Sequence, residues 1–446
     1  MLNLTQRYLV EQSVEDVPIP RFVLARQRFP TQTVPDIPAE LDRQWTRRDL
    51  YRRIRPGQRV AITAGSRQIA NMPTILRSIA DAVKSRGAHP FLIPAMGSHG
   101  AATAQGQKSI LNHYGITEES VGCPIISSMD TVRIGTTEAG MPVYCSRTLC
   151  EEADAIILCN RIKPHPGLAG KVQSGLIKMS VIGCGKQRGA AECHRLGLDG
   201  MEERLIASSR VVLEKMPVIF GVGIIENAYD QTAELHCIPA ERIHDEEPAL
   251  LQRAASYMPA ILPDRLDVLF VDEGGKNISG VCADPAVTLR YLVPEKIAQN
   301  RRKPPSVFIL GDLTEESEGA ASGIGQADII TDRLLKKVDL GKTYVNAMTS
   351  TFLLNSRIPL VMRNDRFALK LAIRTCNAPQ PDRLRMVRIR NTLRLSEIYI
   401  SEALAEEMGR DPRIEILSPP MPLDFDNEGN LLPFAADHHM ERKVSK

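Results

Sequence analysis

The sequence predicts an α/β protein: two α/β domains with mostly parallel sheets and an active site in the cleft between them, at strand C-terminal ends. Three observations lead there. Short apolar runs recur ahead of amphipathic stretches, the pattern of βαβ units. These runs fall into two series, separated by residues 232–265, which carry Glu, Arg and Pro in place of strand-like runs. The composition, 43% hydrophobic and 24% charged over 446 residues, suits a globular protein with more than one core. The expected division is an N-terminal α/β domain over residues 1–240 and a C-terminal one over 241–446.

The elements follow in order. Residues 1–56 are rich in Pro and Arg, and Pro18, Pro20, Pro30, Pro35 and Pro38 are expected to interrupt any long element. The first strand is predicted at Arg59-Val60-Ala61-Ile62-Thr63. A helix near Pro73-Thr74-Ile75-Leu76 presents Ile75, Ile79 and Val83 on one face and stops at Gly87. Phe91-Leu92-Ile93-Pro94, Ala155-Ile156-Ile157-Leu158-Cys159 and Val218-Ile219-Phe220 read as further strands. The second series is Val268-Leu269-Phe270-Val271, Val307-Phe308-Ile309-Leu310 and Leu360-Val361-Met362. The polar tail from Asp424 onward holds His438-His439, a pair that reads as solvated.

Charge and composition exclude several function classes. A net charge of +3 gives no electrostatic footprint for nucleic acid or anionic lipid. The short basic runs Arg47-Arg48, Arg52-Arg53 and Arg301-Arg302-Lys303 read as solvated faces or loops. No stretch of 18 apolar residues occurs, so no membrane span is expected, and no signal peptide is visible. Nine cysteines without a CxxC pair suit free thiols. The expected location is cytoplasmic.

Ligands of open parallel sheets bind outside the carboxyl ends of the strands. The residues that follow the predicted strands are therefore the candidates. Ala64-Gly65-Ser66-Arg67 follows the first, and Met96-Gly97-Ser98-His99-Gly100 the second. Asn160-Arg161-Ile162-Lys163-Pro164-His165 follows the 155–159 run, and Asp272-Glu273-Gly274-Gly275-Lys276-Asn277 the 268–271 run. Arg67, His99, His165 and Lys276 thus stand at four strand ends. Two histidines and two cations suit an anionic substrate and acid/base chemistry near neutrality.

Downstream lie Ser174-Gly175-Leu176-Ile177-Lys178-Met179 and Cys193-His194. Among Leu176, Ile177, Met179, Val181 and Ile182, Lys178 either snorkels from a helix or is desolvated for covalent work. Composition leaves both open. Gly183-Cys184-Gly185-Lys186 looks like part of a phosphate loop but lacks the spacing and the following Ser/Thr. Gly221-Val222-Gly223 and Gly323-Ile324-Gly325 are incomplete dinucleotide fingerprints, and neither HExxH nor GxSxG occurs.

Taken together, Gly65-Ser66-Arg67, Gly97-Ser98-His99, Lys163-Pro164-His165, Ser174-Gly175-Leu176-Ile177-Lys178 and His194 resemble the nickel-pincer lactate racemase (LarA) family. The resemblance spans roughly residues 20 to 430 and is densest between 58 and 200. It implies a racemase or epimerase that inverts C2 of a 2-hydroxy acid by hydride abstraction and return. The implied cofactor is nickel with pyridinium-3-thioamide-5-thiocarboxylic acid mononucleotide, covalent on Lys178, with Ser66, Gly97 and Ser98 contacting it. His194 is the implied nickel ligand, His99 and His165 the acid/base pair, and Arg67 and Lys276 the substrate-binding cations. Implied partners are the cofactor-biosynthesis proteins and the small-molecule acid. Ala64-Gly65-Ser66 stands where lactate enzymes carry an acidic Asp-Asp-x-Thr-like segment, and Trp45 is the sole tryptophan, so a 2-hydroxy acid other than lactate is expected.

Two other classes fit the residues read without the resemblance. One is an NAD- or metal-dependent dehydrogenase or lyase on a doubly wound fold, using His99 and His165 as acid and base. The other is a metabolite-binding homologue without turnover. A mass added to the Lys178 peptide separates the first from the pincer reading, and inversion of a 2-hydroxy acid excludes the second.

Overall fold

The computed structural model describes residues 8–168, 170–197, 200–299, 302–350 and 352–434, so the His438-His439 pair lies outside the described residues. The chain forms two compact units, Pro30–Met258 and the discontinuous Met1–Phe29 with Pro259–Lys446. Residue 240, where the sequence reading divides the chain, falls in the short turn Ala240–Arg242 of the first unit. Strand β1 (Phe22–Gln27) belongs to the second.

The unit Pro30–Met258 is built on β2 (Arg59–Ala64), β3 (His89–Pro94), β6 (Ala155–Arg161), β7 (Val218–Glu226) and β8 (Thr232–Pro239), with β4 (Thr131–Thr136) and β5 (Pro142–Ser146) as a separate antiparallel hairpin. The sheet runs β3-β2-β6-β7-β8, parallel except for β8. Alternation of side chains sends residues to opposite faces. Val60, Ile62, Ile157, Cys159 and Phe220 join one core with Ile75, Ile79 and Trp45. Ala61, Ile156, Leu158 and Phe91 join the other with Leu176, Val212 and Leu251. Helices therefore cover both faces, which explains why the strands read as unbroken apolar runs.

The predicted helix is Met72–Ser85, with Ile75, Ile79 and Val83 buried. It ends ahead of Gly87 at φ +73, a left-handed position suited to glycine. Pro38 does not interrupt an element. It occupies the first turn of helix Ile37–Arg47, where no intrahelical N–H is needed, and Asp36 caps that turn by accepting from Ala39 N at 3.0 Å.

Residues 232–265 depart from the sequence expectation, because they contain β8 and the helix Ile243–Tyr257. Glu234 and His236 hide the strand in the sequence. Buried Glu234 is satisfied by Arg253 at 2.6 Å, the Tyr257 hydroxyl at 2.8 Å and His236 Nε2 at 2.7 Å, so a charge is tolerated within a buried strand.

The other unit holds β9 (Val268–Gly274), β10 (Val307–Leu313), β11 (Ile329–Thr331), β12 (Leu360–Met362), β13 (Met386–Ile389), β14 (Glu397–Ser401) and β15 (Ile414–Ile416). With β1 they form one sheet, β12-β11-β10-β9-β13-β14-β1-β15. The five strands from β12 to β13 are parallel, and β14, β1 and β15 pair antiparallel. The fold is thus α/β with mostly parallel sheets, as the periodicity predicts. β13 escaped the sequence reading because Arg388 interrupts it. That guanidinium is buried and bidentate to Asp272, both contacts at 2.8 Å.

All nine cysteines are free. Among the described residues no helix is long and apolar enough to cross a membrane. The basic pairs are held by neighbouring acids, Arg48 by Glu246 and Arg53 by Glu241.

Ile157 is fully buried between its neighbours on β2 and β7. Ile157→Ala is expected to cost about 2–5 kcal/mol, read as a lower urea midpoint with unchanged slope.

Candidate active site

The candidate residues of the unit Pro30–Met258 stand on loops that leave the carboxyl ends of β2, β3 and β6. After β2 the chain turns through Gly65, where a Cβ would lie 3.3 Å from Asn160 Oδ1 and 3.4 Å from Met179 Cε. The small residue lets this loop approach Asn160 and Met179. Ser66 then meets His99: its hydroxyl lies in close hydrogen-bond contact with Nδ1. The loops after β2 and β3 are joined at that point.

The β3 loop is tightly wound. Gly97 and Gly100 have φ of +60° and +68°, and Ala101 and Ala102 follow at +54° and +53°. A Cβ on Gly100 would fall 2.5 Å from Gln107 N, so this glycine is required both by conformation and by space. Left-handed alanines beside a candidate catalytic histidine are local strain held by the surrounding structure. Thr103 accepts from Gly106 N at 3.0 Å and starts the helix Ala104–His113 immediately afterwards.

Asn160, near the end of β6, donates from Nδ2 to Gly175 O at 2.9 Å, and the loop that follows carries His165. His165 N donates to Gln173 Oε1 at 2.7 Å. Its ring Nδ1 accepts from Gly167 N at 3.0 Å, which puts the proton of the neutral ring on Nε2. The loop is closed by an antiparallel bridge between Lys163 and Ser174.

Lys178 ends the short turn Leu176–Lys178 and leads into a π turn, Met179–Gly183. The entry to this segment is anchored from across the unit. Buried Glu247 accepts from Leu176 N at 2.5 Å and Ile177 N at 3.1 Å. Gly175 makes that approach possible, since a Cβ there would sit 2.5 Å from the Glu247 carboxyl carbon. Burial raises the Glu247 carboxyl to about 7 against the pull of the two N–H donors.

Lys178 is desolvated as well as close to like charge. Burial, then the Arg67 guanidinium, lowers its amine to about 8. His194, at the end of helix Lys186–His194, is also held below the usual histidine value, first by desolvation and then by the charges of Lys178 and Arg204. Its Nδ1 lies 2.8 Å from Ala190 O, and a carbonyl only accepts, so Nδ1 carries the proton and Nε2 keeps its lone pair. Arg67 is thus near enough to act on Lys178, and Lys178 on His194, and the Ser66–His99 pair stands on the same sheet edge as Arg67.

The other sequence candidates have partners of their own. The contacts of the His165 main chain and Nδ1 are within its own loop. Lys276 belongs to the other unit, where its N–H donates to Ser317 Oγ at 2.9 Å. Trp45 is a core residue, edge-on to Tyr51 and Phe220. Glu247 and Gln107 went unnoticed in the sequence, because each acts on a backbone group that no local pattern names.

A pyridinium cofactor tethered through an amide-type link needs an amine that loses its proton readily, and Lys178 fits. A nickel ion needs a soft or imidazole donor, and His194 offers a neutral ring with Nε2 free to bind. Among the described residues no group of three or more His, Cys, Asp or Glu side chains is arranged to hold a metal.

Two measurements check these electrostatics. Reductive methylation with labelled formaldehyde, followed by NMR, is expected to give Lys178 a midpoint near 8, and Arg67→Gln is expected to raise it. For Glu247 the folded-state pKa lies above the unfolded one. Its contribution to stability is complete below about 4.5 and is lost as pH rises through about 7, so urea stability should fall over that window. Glu247→Gln should flatten the fall.

Residues 23–204 match the family model described as the lactate racemase N-terminal domain. None of the curated proteins compared matches the chain. Among solved structures, a protein from Thermotoga maritima aligns at a TM-score of 0.39 and 15% identity, over 50% of this chain and 61% of that one. The lactate racemase apoprotein from Thermoanaerobacterium thermosaccharolyticum aligns at 0.40 and 11% identity, over 76% of this chain and 93% of that one. Residues 23–204, which hold Arg67, His99, His165, Lys178 and His194, are thus similar to the lactate racemase N-terminal domain.

Proposed function

We propose that the protein is a nickel-dependent racemase or epimerase of a 2-hydroxy acid other than lactate, an isomerase carrying its pincer cofactor on Lys178. The reading rests above all on one juxtaposition. A lysine amine lowered to about 8 lies within electrostatic reach of both Arg67 and an imidazole whose Nε2 is free, in a segment similar to the lactate racemase N-terminal domain.

The chain's own residues take the following parts. Lys178 tethers the cofactor, Ser66, Gly97 and Ser98 border it, and His194 Nε2 binds nickel. Arg67 holds the substrate carboxylate by charge-assisted hydrogen bonds. When bound, the cofactor supplies the acceptor for the C2 hydrogen and its electron pair. One of His99 and His165 takes the hydroxyl proton as that hydrogen leaves, so the 2-hydroxy acid becomes a 2-keto acid. The keto acid then regains the hydrogen on its opposite face, and the other histidine returns a proton to the oxygen. Two bases serve because the two enantiomers place the hydroxyl on different sides. The Ser66 hydroxyl on His99 Nδ1 orients that ring, leaving Nε2 as the nitrogen that exchanges the proton. His165 Nδ1 accepts from the Gly167 N–H, which holds that ring in the tautomer with its proton on Nε2.

The full chain, co-produced with the cofactor-making proteins and supplied with nickel, is expected to show an added mass on the Lys178 peptide. It should invert a 2-deuterated 2-hydroxy acid without losing the label. Lys178→Ala should abolish both. His99→Ala and His165→Ala should keep the added mass while turnover falls about 10²–10⁴-fold. An unmodified Lys178 peptide, or inversion with washout of deuterium, would overturn the proposal.

A further inference from the structure

Lys186 belongs to the Gly183-Cys184-Gly185-Lys186 stretch, which serves no nucleotide phosphate, because the side chain is wholly buried at 0% exposure. It also adopts φ +54°, a conformation that costs a non-glycine residue energy. A lysine kept buried and left-handed must be held by strong partners, and they are identifiable. Nζ donates to Pro94 O in a short contact and to Gln107 Oε1 at 3.2 Å. Pro94 is the last residue of β3, directly ahead of the His99 loop.

Gln107 is equally buried and passes the contact on. Its Nε2 donates to Gly97 O at 3.0 Å and to His99 O at 3.3 Å. An ammonium can only donate, so Gln107 must turn Oε1 toward Lys186, and the amide is left with its donors facing the loop. The same loop also packs directly on the segment that follows Lys178. A Cβ on Gly97 would lie 3.2 Å from Ile182 Cγ2 and 3.6 Å from Ala190 Cβ. Burial brings the Lys186 ammonium down to about 8, so it stays mostly protonated at neutral pH.

We propose that Lys186 is a positioning residue: through Gln107 it holds the backbone of Gly97-Ser98-His99 in fixed relation to the segment running from Lys178 to His194. The importance of that relation rests on the reading that His99 and Lys178 serve one site, but the strut itself is a property of the unloaded chain. An uncharged residue at 186 would leave Pro94 O and Gln107 Oε1 without their donor. Gln107 could then rotate away from the loop carbonyls.

The test uses the full chain without cofactor. In Lys186→Met, hydrogen exchange of peptides covering 95–102 should quicken about tenfold, while peptides of β2 and β6 exchange as before. The ring signals of His99 in NMR spectra should shift with it. Gln107→Leu should reproduce both changes, and it carries the test if Lys186→Met does not fold. Ile75→Val, which loosens the core without touching the loop, should move neither. Unchanged exchange over 95–102 in both variants, or acceleration spread evenly through the unit, would overturn the inference. A loosened loop in a protein that shows no racemisation when loaded would uphold the strut and sink the functional reading instead.

Discussion

The candidate site depends on a buried carboxylate meeting two backbone N–H groups. Glu247 reaches across the unit to the turn that begins at Gly175, and Leu176 N and Ile177 N donate to it. A carboxylate left alone there would suffer the full loss of hydration, and two N–H groups left alone would do the same. Each makes the other tolerable. The contact also requires that position 175 have no side chain, which is why a glycine precedes the lysine-bearing turn. Once that entry is pinned, the turn Leu176–Lys178 presents Lys178, and the π turn and helix that follow carry His194 sixteen residues later.

Burial of charge recurs as the organising device of the unit. Lys178, Lys186 and Glu247 are all shifted toward neutrality chiefly by desolvation, yet they are used differently. Lys186 donates to Pro94 O and Gln107 Oε1, and Glu247 accepts two backbone N–H groups on Oε2, so both act on backbone. Lys178 has a like charge beside it, which favours the neutral nucleophilic amine. The same residue type, in the same ten-residue stretch, is a brace at one position and a lowered amine beside a like charge at the other. The deciding factor is what lies opposite each ammonium.

Much of the architecture was legible in the chain. Strands β2, β3, β6, β7, β9, β10 and β12 fall on the apolar runs, because a strand covered on both faces has no polar position to blur it. Two of the strands that went unread have a charge inside them. Glu234 in β8 and Arg388 in β13 are compensated by residues 19 and 116 positions away, at Arg253 and Asp272, and no window along the chain sees such partners. The N-terminal segment likewise hides its destination. β1 pairs with β14 and β15 from the far end of the chain, a connection that only the sheet reveals.

By itself the sequence determined the α/β class, the strand ends on which Arg67, His99 and His165 stand, and the spacing of Lys178 and His194. All of these follow from local periodicity and from the order of residues along one strand–loop unit. Tertiary structure decided which of them act on one another. It brought Ser66 to His99, set Arg67 near enough to lower the Lys178 amine, and gave the His194 ring its tautomer. It also converted Lys186 from an apparent phosphate-loop lysine into a buried brace. Desolvation and charge proximity depend on what the rest of the fold places around a group, and that information is absent from its neighbours in sequence.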